Sequence, residues 1–113
     1  MDKKIKEFEK IIKYNFRKIS LLEKALTHKS FDNHNNNEKL EFLGDRVLGL
    51  VISKKLLELY PDEKEGTLDK KLASLVNKNK CCEIAKNLQL QNFILIENKK
   101  KVTNLENKIL SDC

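Results

Sequence analysis

Three carboxylates at helical spacing are the residues of this chain best suited to chemistry. Glu38, Glu41 and Asp45 lie in the stretch NEKLEFLGD, residues 37–45. At about 100° per residue, their side chains fall within roughly 60° of one another around a helix axis, with neighbouring Cβ atoms about 5–6 Å apart. The spacing therefore predicts an acidic cluster of a size that could hold a cation.

The helix that carries these acids is expected to be buried. Apolar residues occupy nearly every direction around its axis over residues 46–59, a pattern typical of core helices. The acidic stripe itself continues as apolar positions such as Ile52 and Leu56. Burying an uncompensated carboxylate costs several kcal/mol, on the order of its desolvation penalty. We therefore expect a cationic group beside the stripe.

Two simpler explanations remain open for part of the cluster. One is a salt bridge to Arg46 or Lys39, and the other is the favourable position of acids in the first turn of a helix. Both explain Glu38 adequately. They explain Glu41 and Asp45 less well, because these residues are expected to lie deeper than the first turn. A hard divalent metal with oxygen ligands fits these two better.

Gly44 and Gly49 also lie in this helix. Each costs about 1 kcal/mol relative to alanine in a helix interior. The close approach of another backbone would explain them, and so would packing that simply tolerates them.

Length and composition predict a single all-α domain. The chain has 113 residues with three glycines and one proline, which suits one core of long helices better than strands joined by tight turns. No apolar run approaches the roughly 20 residues of a membrane span, and the N-terminus has no signal-peptide segment. We expect a cytoplasmic protein without a membrane partner.

Charge and cysteine content add two expectations. The net charge of +6 makes a polyanionic partner plausible without showing one. Cys81, Cys82 and Cys113 match neither a disulfide framework nor the spacing of a zinc site, so we expect reduced thiols.

Helical spacing and caps predict the remaining elements. Asn37 is the predicted cap of the acidic helix and Thr67 that of the next, and a further helix is expected over about 81–88. Residues 93–96 are predicted to be a buried connector, and 98–101 a basic loop, usually solvated. His28 and His34 lie beside or within a polar loop, where a histidine is more often structural than a ligand.

The stretch NEKLEFLGD resembles the signature motif of ribonuclease III, a family of double-stranded-RNA endonucleases. Three further segments match this family in the same order. Residues 25–30 (ALTHKS) resemble the segment before the signature, 65–77 the helix after it, and 109–112 (ILSD) the start of a second acidic motif. We therefore interpret residues 1–113 as a ribonuclease III catalytic domain.

This resemblance implies an all-helical endonuclease that forms a homodimer and requires Mg²⁺, with Mn²⁺ as a substitute and no nucleotide cofactor. Glu41 and Asp45 match family carboxylates that surround the metal. Asp112 matches a third, from the second acidic motif. These three residues are the predicted catalytic and metal-binding set.

Three other residues receive roles from the resemblance alone. Glu38 and Glu65 match positions associated with RNA handling in the dimeric cleft. Phe42 matches an aromatic residue that packs across the dimer interface.

The family pattern extends past the last residue of this chain. A fourth carboxylate would lie three residues after Asp112, beyond Cys113, and bacterial members usually carry a C-terminal double-stranded-RNA-binding domain that these residues lack. We expect a fragment with an incomplete metal site, inactive or weakly active alone, whose intact parent cleaves duplex RNA.

The implied function is Mg²⁺-dependent hydrolysis of phosphodiester bonds in double-stranded RNA. The expected products carry 5′-phosphate and 3′-hydroxyl ends, and the expected substrates are ribosomal RNA precursors and structured messenger or transfer RNA. The alternative is a non-catalytic helical dimer that binds duplex RNA. Such a protein would be expected to have lost the carboxylates, whereas Glu41, Asp45 and Asp112 are all present.

Overall fold

The computed structural model describes residues 2–96 and 106–113, and its regular structure there is helical. The elements are α1 (Asp2–Ile12), α2 (Ile19–Ala25), α3 (Glu38–Leu59), α4 (Glu65–Val76), α5 (Lys78–Asn87), a short 3₁₀ helix (Leu90–Asn92) and α6 (Glu106–Asp112). Extended backbone pairs in these residues at one isolated parallel bridge, Thr27 with Leu95. The all-α prediction is confirmed. None of the described helices is both long and apolar enough to span a membrane.

Two helix starts lie earlier than their sequence signals predict. α4 begins at Glu65, before the predicted cap Thr67. α5 begins before Cys81, because Asn77 caps it: its side-chain oxygen accepts a hydrogen bond from the backbone N–H of Lys80 at 2.9 Å. The predicted basic loop at 98–101 lies outside the described residues.

The hydrophobic core is built around α1, α2, α5 and α6, and α3 contributes nothing to it. Its buried members are Ile5, Phe8, Leu22, Leu26, Cys82, Ala85, Leu90, Ile94, Ile109 and Leu110. Among the described helices α6 packs chiefly on α5. Ile94 belongs to the predicted connector at 93–96 and is buried as expected.

The expectation that α3 is a buried core helix is wrong for the single chain. Leu56 is the only buried residue among its 22 residues, whereas Leu43 is 60% exposed and Leu50 71% exposed. Apart from the adjoining residues and the backbone of α3 itself, a Cβ placed on Gly44 or Gly49 would meet no atom of the described chain within 4 Å. The apolar residues of α3 point all round its axis, and its main neighbour among the described helices, α4, covers only part of that circumference.

Two buried asparagines fix the point at which α3 begins. Asn36 takes the capping role predicted for its neighbour, because its side-chain oxygen accepts a hydrogen bond from the Glu38 N–H at 3.1 Å. Asn37 turns inward instead and donates through its side-chain amide to the carbonyl of Ala25 at 3.3 Å. Its backbone N–H donates to the carbonyl of Thr27 at 2.9 Å. The start of the acidic helix is therefore hydrogen-bonded to the end of α2 and to the residues that follow it.

Two adjacent leucines in α2 test this assignment of the core. Leu22 is 2% exposed and belongs to the core, whereas Leu21 is 46% exposed. We expect Leu22→Ala to lower the free energy of unfolding by about 2–5 kcal/mol, since it removes buried methyl groups and leaves a cavity. Leu21→Ala, the matched control, should cost less than about 1 kcal/mol. Chemical denaturation measures both, and equal losses would contradict the core described here.

Candidate active site

A cavity of about 190 Å³ between α3 and α6 contains the three predicted metal ligands in its lining. Glu41 and Asp45 stand one turn apart on α3, and Asp112 is the last residue of α6. The remaining lining residues are Ala25, Asn37, Leu40, Gly44, Leu48, Ser111 and Cys113. We call this space the carboxylate cavity. The three acids meet there, and their role as ligands stays a prediction.

A second space of about 430 Å³ shares part of this lining, and we call it the histidine cavity. It is lined by His28, Lys29, Asn37, Glu38, Glu41, Ile109 and Asp112. Glu41 and Asp112 line both cavities, whereas Asp45 lines only the first and Glu38 only the second. The structure therefore separates Glu38 from Asp45, although the two residues share one stripe of α3.

The depth of Glu41 in α3 differs from the sequence expectation. Because the helix begins at Glu38, Glu41 belongs to its first turn, and the favourable helix dipole acts on it as well. Of these two acids, only Asp45 therefore lies deeper than the first turn of α3. What sets Glu41 apart is a second acid from another helix, Asp112, in the lining of the same two cavities.

α6 positions Asp112 by burying the residues just before it. Ile109 and Leu110 are both core members, and their burial fixes the rotation of this short helix. Beyond Asp112, the side-chain amide of Asn37 lies 3.4 Å from the Sγ of Cys113. The end of α6 therefore contacts the start of α3.

Two thiols respond to the negative charge of the carboxylate cavity. Burial, followed by the charge of Asp112, raises the pKa of the Cys113 thiol to about 12, and Glu41 adds to this increase. Burial, followed by the charge of Asp45, raises the pKa of the Cys81 thiol. In both thiols burial is the larger cause, and the nearby carboxylates add to it because a negative charge disfavours a thiolate.

The chemistry of the donor set suits a hard divalent cation, because the candidate ligands are all carboxylates. Within residues 2–96 and 106–113, no group of three or more His, Cys, Asp or Glu side chains is arranged to hold a metal ion unaided. Mg²⁺ is usually held by one or two carboxylates, with waters and phosphate oxygens completing its shell. Glu41, Asp45 and Asp112 fit that mode of binding.

The remaining predicted residues lie away from the carboxylate cavity. Phe42 is 54% exposed, and the Arg46 guanidinium lies 4.0 Å from the centre of its ring. Arg46 also donates a hydrogen bond to the Phe42 carbonyl at 3.2 Å. Glu65 is exposed at the start of α4 and lines neither cavity. The cleft and interface roles of these residues stay predictions.

His28 and Lys29 are the residues that sequence reasoning missed. The polar loop predicts a structural histidine, whereas the structure places His28 in the lining of the histidine cavity together with Glu41 and Asp112. Residues 28, 41 and 112 have no common spacing that could reveal this. The available signal was the ALTHKS segment, which matches the family just before the acidic motif.

Comparison with known proteins decides the family. The model of the family described as ribonuclease-III-like matches residues 18–113. The chain belongs to this family. It is similar to Ribonuclease 3 of Pelagibacter ubique, with 63% identity over 108 residues, which cover 95% of this chain and 49% of that protein. Ribonuclease 3 of Nitratiruptor is 46% identical over 94 residues, covering 83% of this chain and 42% of that protein.

Solved structures of ribonuclease III support the same assignment. The nuclease domain of the Campylobacter jejuni enzyme superposes with a TM-score of 0.89 at 42% identity, over 96% of this chain and 77% of that one. That domain is described as structurally flexible in a region involved in dimer formation. A second structure of the same domain gives a TM-score of 0.86. The predicted ribonuclease III resemblance is confirmed, and the chain spans about half the length of the curated relatives it matches.

The link between Asp45 and the Cys81 thiol gives a test of the site's electrostatics. Asp45→Asn removes one of the two causes that raise the pKa of Cys81. The pKa should fall, so that at pH 8 more thiolate is present and alkylation of Cys81 by iodoacetamide is faster. Peptide mapping by mass spectrometry measures the rate at each cysteine. Asp69→Asn, which removes an exposed acid of α4, should leave the Cys81 rate unchanged, and an equal effect of both variants would contradict the assignment.

Proposed function

We propose that this chain is the nuclease domain of a ribonuclease III that hydrolyses phosphodiester bonds in double-stranded RNA. The relatives are named Ribonuclease 3, an endoribonuclease, and enzymes of this family are generally metal-dependent. The observation that carries the proposal is the shared cavity of Glu41, Asp45 and Asp112, since a family member that had lost catalysis would have no need to keep three acids together.

Mg²⁺ is the metal we propose, with Mn²⁺ as a substitute. Glu41, Asp45 and Asp112 would hold it, because their carboxylate oxygens are the ligands that Mg²⁺ prefers. When bound, such an ion supplies an activated water and offsets the charge that develops on the phosphate. The three acids would contribute the negative potential that attracts the ion, and the core packing of α6 keeps Asp112 in the lining of the cavity that Glu41 and Asp45 share.

The proposed reaction is the attack of water on phosphorus with departure of the 3′-oxygen. It would leave a 5′-phosphate on one fragment and a 3′-hydroxyl on the other. We propose ribosomal RNA precursors and other structured RNA as the substrates and the cytoplasm as the location. The net charge of +6 agrees with a polyanionic substrate.

We further propose that two copies of the chain associate through the apolar side of α3. Its exposed residues Phe42, Leu43, Val47 and Leu50 lie within an arc of about 140° at 100° per residue. An apolar surface of this extent is unusual on a monomer and is typical of an interface. A two-fold dimer would carry two carboxylate cavities, one for each strand of a duplex. Phe42 lies within this surface, where the resemblance predicts a contact between subunits.

Loss of Asp45 should abolish cleavage. We expect Asp45→Asn in the natural full-length protein to reduce the rate of duplex RNA cleavage in Mg²⁺ by at least about 100-fold, because a carboxylate at the metal contributes several kcal/mol and about 1.4 kcal/mol corresponds to a tenfold change in rate. Cleavage of labelled duplex RNA, with single-stranded RNA in parallel, measures the effect.

Asp69→Asn is the matched control and should cleave at the wild-type rate. Retained cleavage by Asp45→Asn would remove Asp45 from the catalytic set. Metal-independent binding of duplex RNA without cleavage by the wild type would select the non-catalytic dimer instead.

A charge on the apolar side of α3 should prevent self-association. We expect Leu50→Lys to weaken the dimer by at least about tenfold, since an ammonium group would have to be buried without a partner. Sedimentation equilibrium measures the change. Leu21→Lys introduces the same charge at an exposed leucine of α2 and should leave the association constant unchanged. A wild-type protein that is monomeric at high concentration would contradict the proposed interface.

A further inference from the structure

Asn37 lies where the two cavities meet. In the described part of the chain, three residues line both the carboxylate cavity and the histidine cavity: Glu41, Asp112 and Asn37. We infer that Asn37 is a positioning residue of the metal site, and that its buried amide holds Asp112 beside Glu41 at the spacing a divalent cation needs, before any substrate arrives. This inference rests on the proposed function for the identity of the metal.

Asn37 is hydrogen-bonded to both segments that carry these acids. Its backbone carbonyl accepts a hydrogen bond from the N–H of Glu41 at 2.8 Å. Its side-chain nitrogen Nδ2 donates to the Sγ of Cys113, the residue after Asp112, at 3.4 Å. A single residue therefore links the first turn of α3 to the end of α6.

The end of α2 fixes the orientation of the same amide. Nδ2 of Asn37 also donates to the carbonyl of Ala25 at 3.3 Å, and the backbone N–H donates to the carbonyl of Thr27 at 2.9 Å. A carbonyl oxygen can only accept, so the nitrogen of the amide must face Ala25. The residue is 5% exposed. Because a buried amide stays where its partners satisfy it, the contact with α6 starts from a fixed position.

The site needs this support because its acids repel one another. Three carboxylates line the carboxylate cavity, and like charges favour separation. The burial of Ile109 and Leu110 restrains α6 just before Asp112, and Asn37 contacts Cys113 just after it. Asp112 is therefore restrained on both sides. Groups that orient metal ligands typically change metal affinity by about 10- to 100-fold, so Asn37 should act on the affinity for the metal.

The test compares two adjacent buried asparagines in the natural full-length protein. Asn36 is 8% exposed and hydrogen-bonded, but it lines neither cavity. Asn37→Ala and Asn36→Ala should both lower Tm, since each removes a buried amide. Asn37→Ala should raise the Kd of Mn²⁺ by at least about tenfold, and Asn36→Ala by less than about threefold. Electron paramagnetic resonance of free Mn²⁺, without RNA, measures both, and Asp45→Asn identifies the binding that belongs to the carboxylate cavity.

Variants at Cys113 test the contact with Asn37 in place, so they decide the question even if Asn37→Ala does not fold. Cys113→Ala removes the acceptor and should raise the Kd of Mn²⁺ by about threefold, with no further loss in an Asn37→Ala background. Cys113→Ser keeps an acceptor for the amide and should stay within about twofold of wild type. Additive losses, or no loss in Cys113→Ala, would overturn the proposed path through α6.

Cleavage of duplex RNA at increasing Mg²⁺ concentrations is measured in parallel. Asn37→Ala should need about tenfold more Mg²⁺ for its half-maximal rate, matching the change in Mn²⁺ affinity. Its KM for duplex RNA at saturating Mg²⁺ should equal that of wild type, because Asn37 acts on the metal and not on the substrate. A raised KM with unchanged metal affinity would contradict this role.

The outcomes separate this inference from the proposed function. Cleavage by the wild type, together with equal Mn²⁺ affinities of Asn36→Ala and Asn37→Ala, would overturn the inference and leave the function standing. Cleavage by a wild type that binds no Mn²⁺ without RNA would do the same, since the site would then not be positioned in advance. Mn²⁺ binding that depends on Asn37, without any cleavage of RNA, would support the positioning role and overturn the nuclease proposal. Absence of both metal binding and cleavage would overturn both.

Discussion

The burial of Ile109 and Leu110 is the interaction on which the candidate site depends. These two side chains enter the core formed with α1, α2 and α5, and Asp112 follows two residues later, beside Glu41. Each apolar side chain contributes about 1.5–3 kcal/mol on burial, which favours this orientation of α6 although it brings Asp112 into the lining of a cavity that Glu41 and Asp45 share. Packing therefore acts against the repulsion between like charges, and a bound cation would lower that repulsion.

α3 contributes to two surfaces, one acidic and one apolar, and its sequence alone does not distinguish them. Glu41 and Asp45 lie on one side, and the exposed apolar residues Leu43 and Leu50 lie about 170° away around the axis. A helix with apolar residues in every direction is normally enclosed by its own chain. Here the core cluster lies among the other helices. α3 carries acids of the candidate site on one side and an exposed apolar surface on the other.

The parts of the site that depend on local spacing could be predicted from the sequence. Glu41 and Asp45 are four residues apart, and helical geometry alone places them together. Asp112 is far along the chain, so only the family resemblance connected it with them. Whether α3 is buried within its own chain could not be predicted. Its apolar residues indicate that the helix packs against something, but not whether the same chain or a second chain packs on it. The inward turn of Asn37 and the position of His28 depend on hydrogen bonds to distant carbonyls, and residue type does not encode these.

Main-chain hydrogen bonds link two of the segments that line the candidate site. Leu95 donates to the carbonyl of Leu26 at 2.8 Å and accepts from the N–H of His28 at 2.9 Å, while Asn37 donates to Thr27 at 2.9 Å. The histidine and the first turn of the acidic helix are therefore attached to one short segment, residues 26–28, whose Leu26 and Thr27 are buried. Residues carried on separate loops could shift independently and lose the fit to a substrate. Because these are linked through main-chain hydrogen bonds, the backbone of His28 and the first turn of α3 have a spacing that the fold sets, which favours a preorganised site.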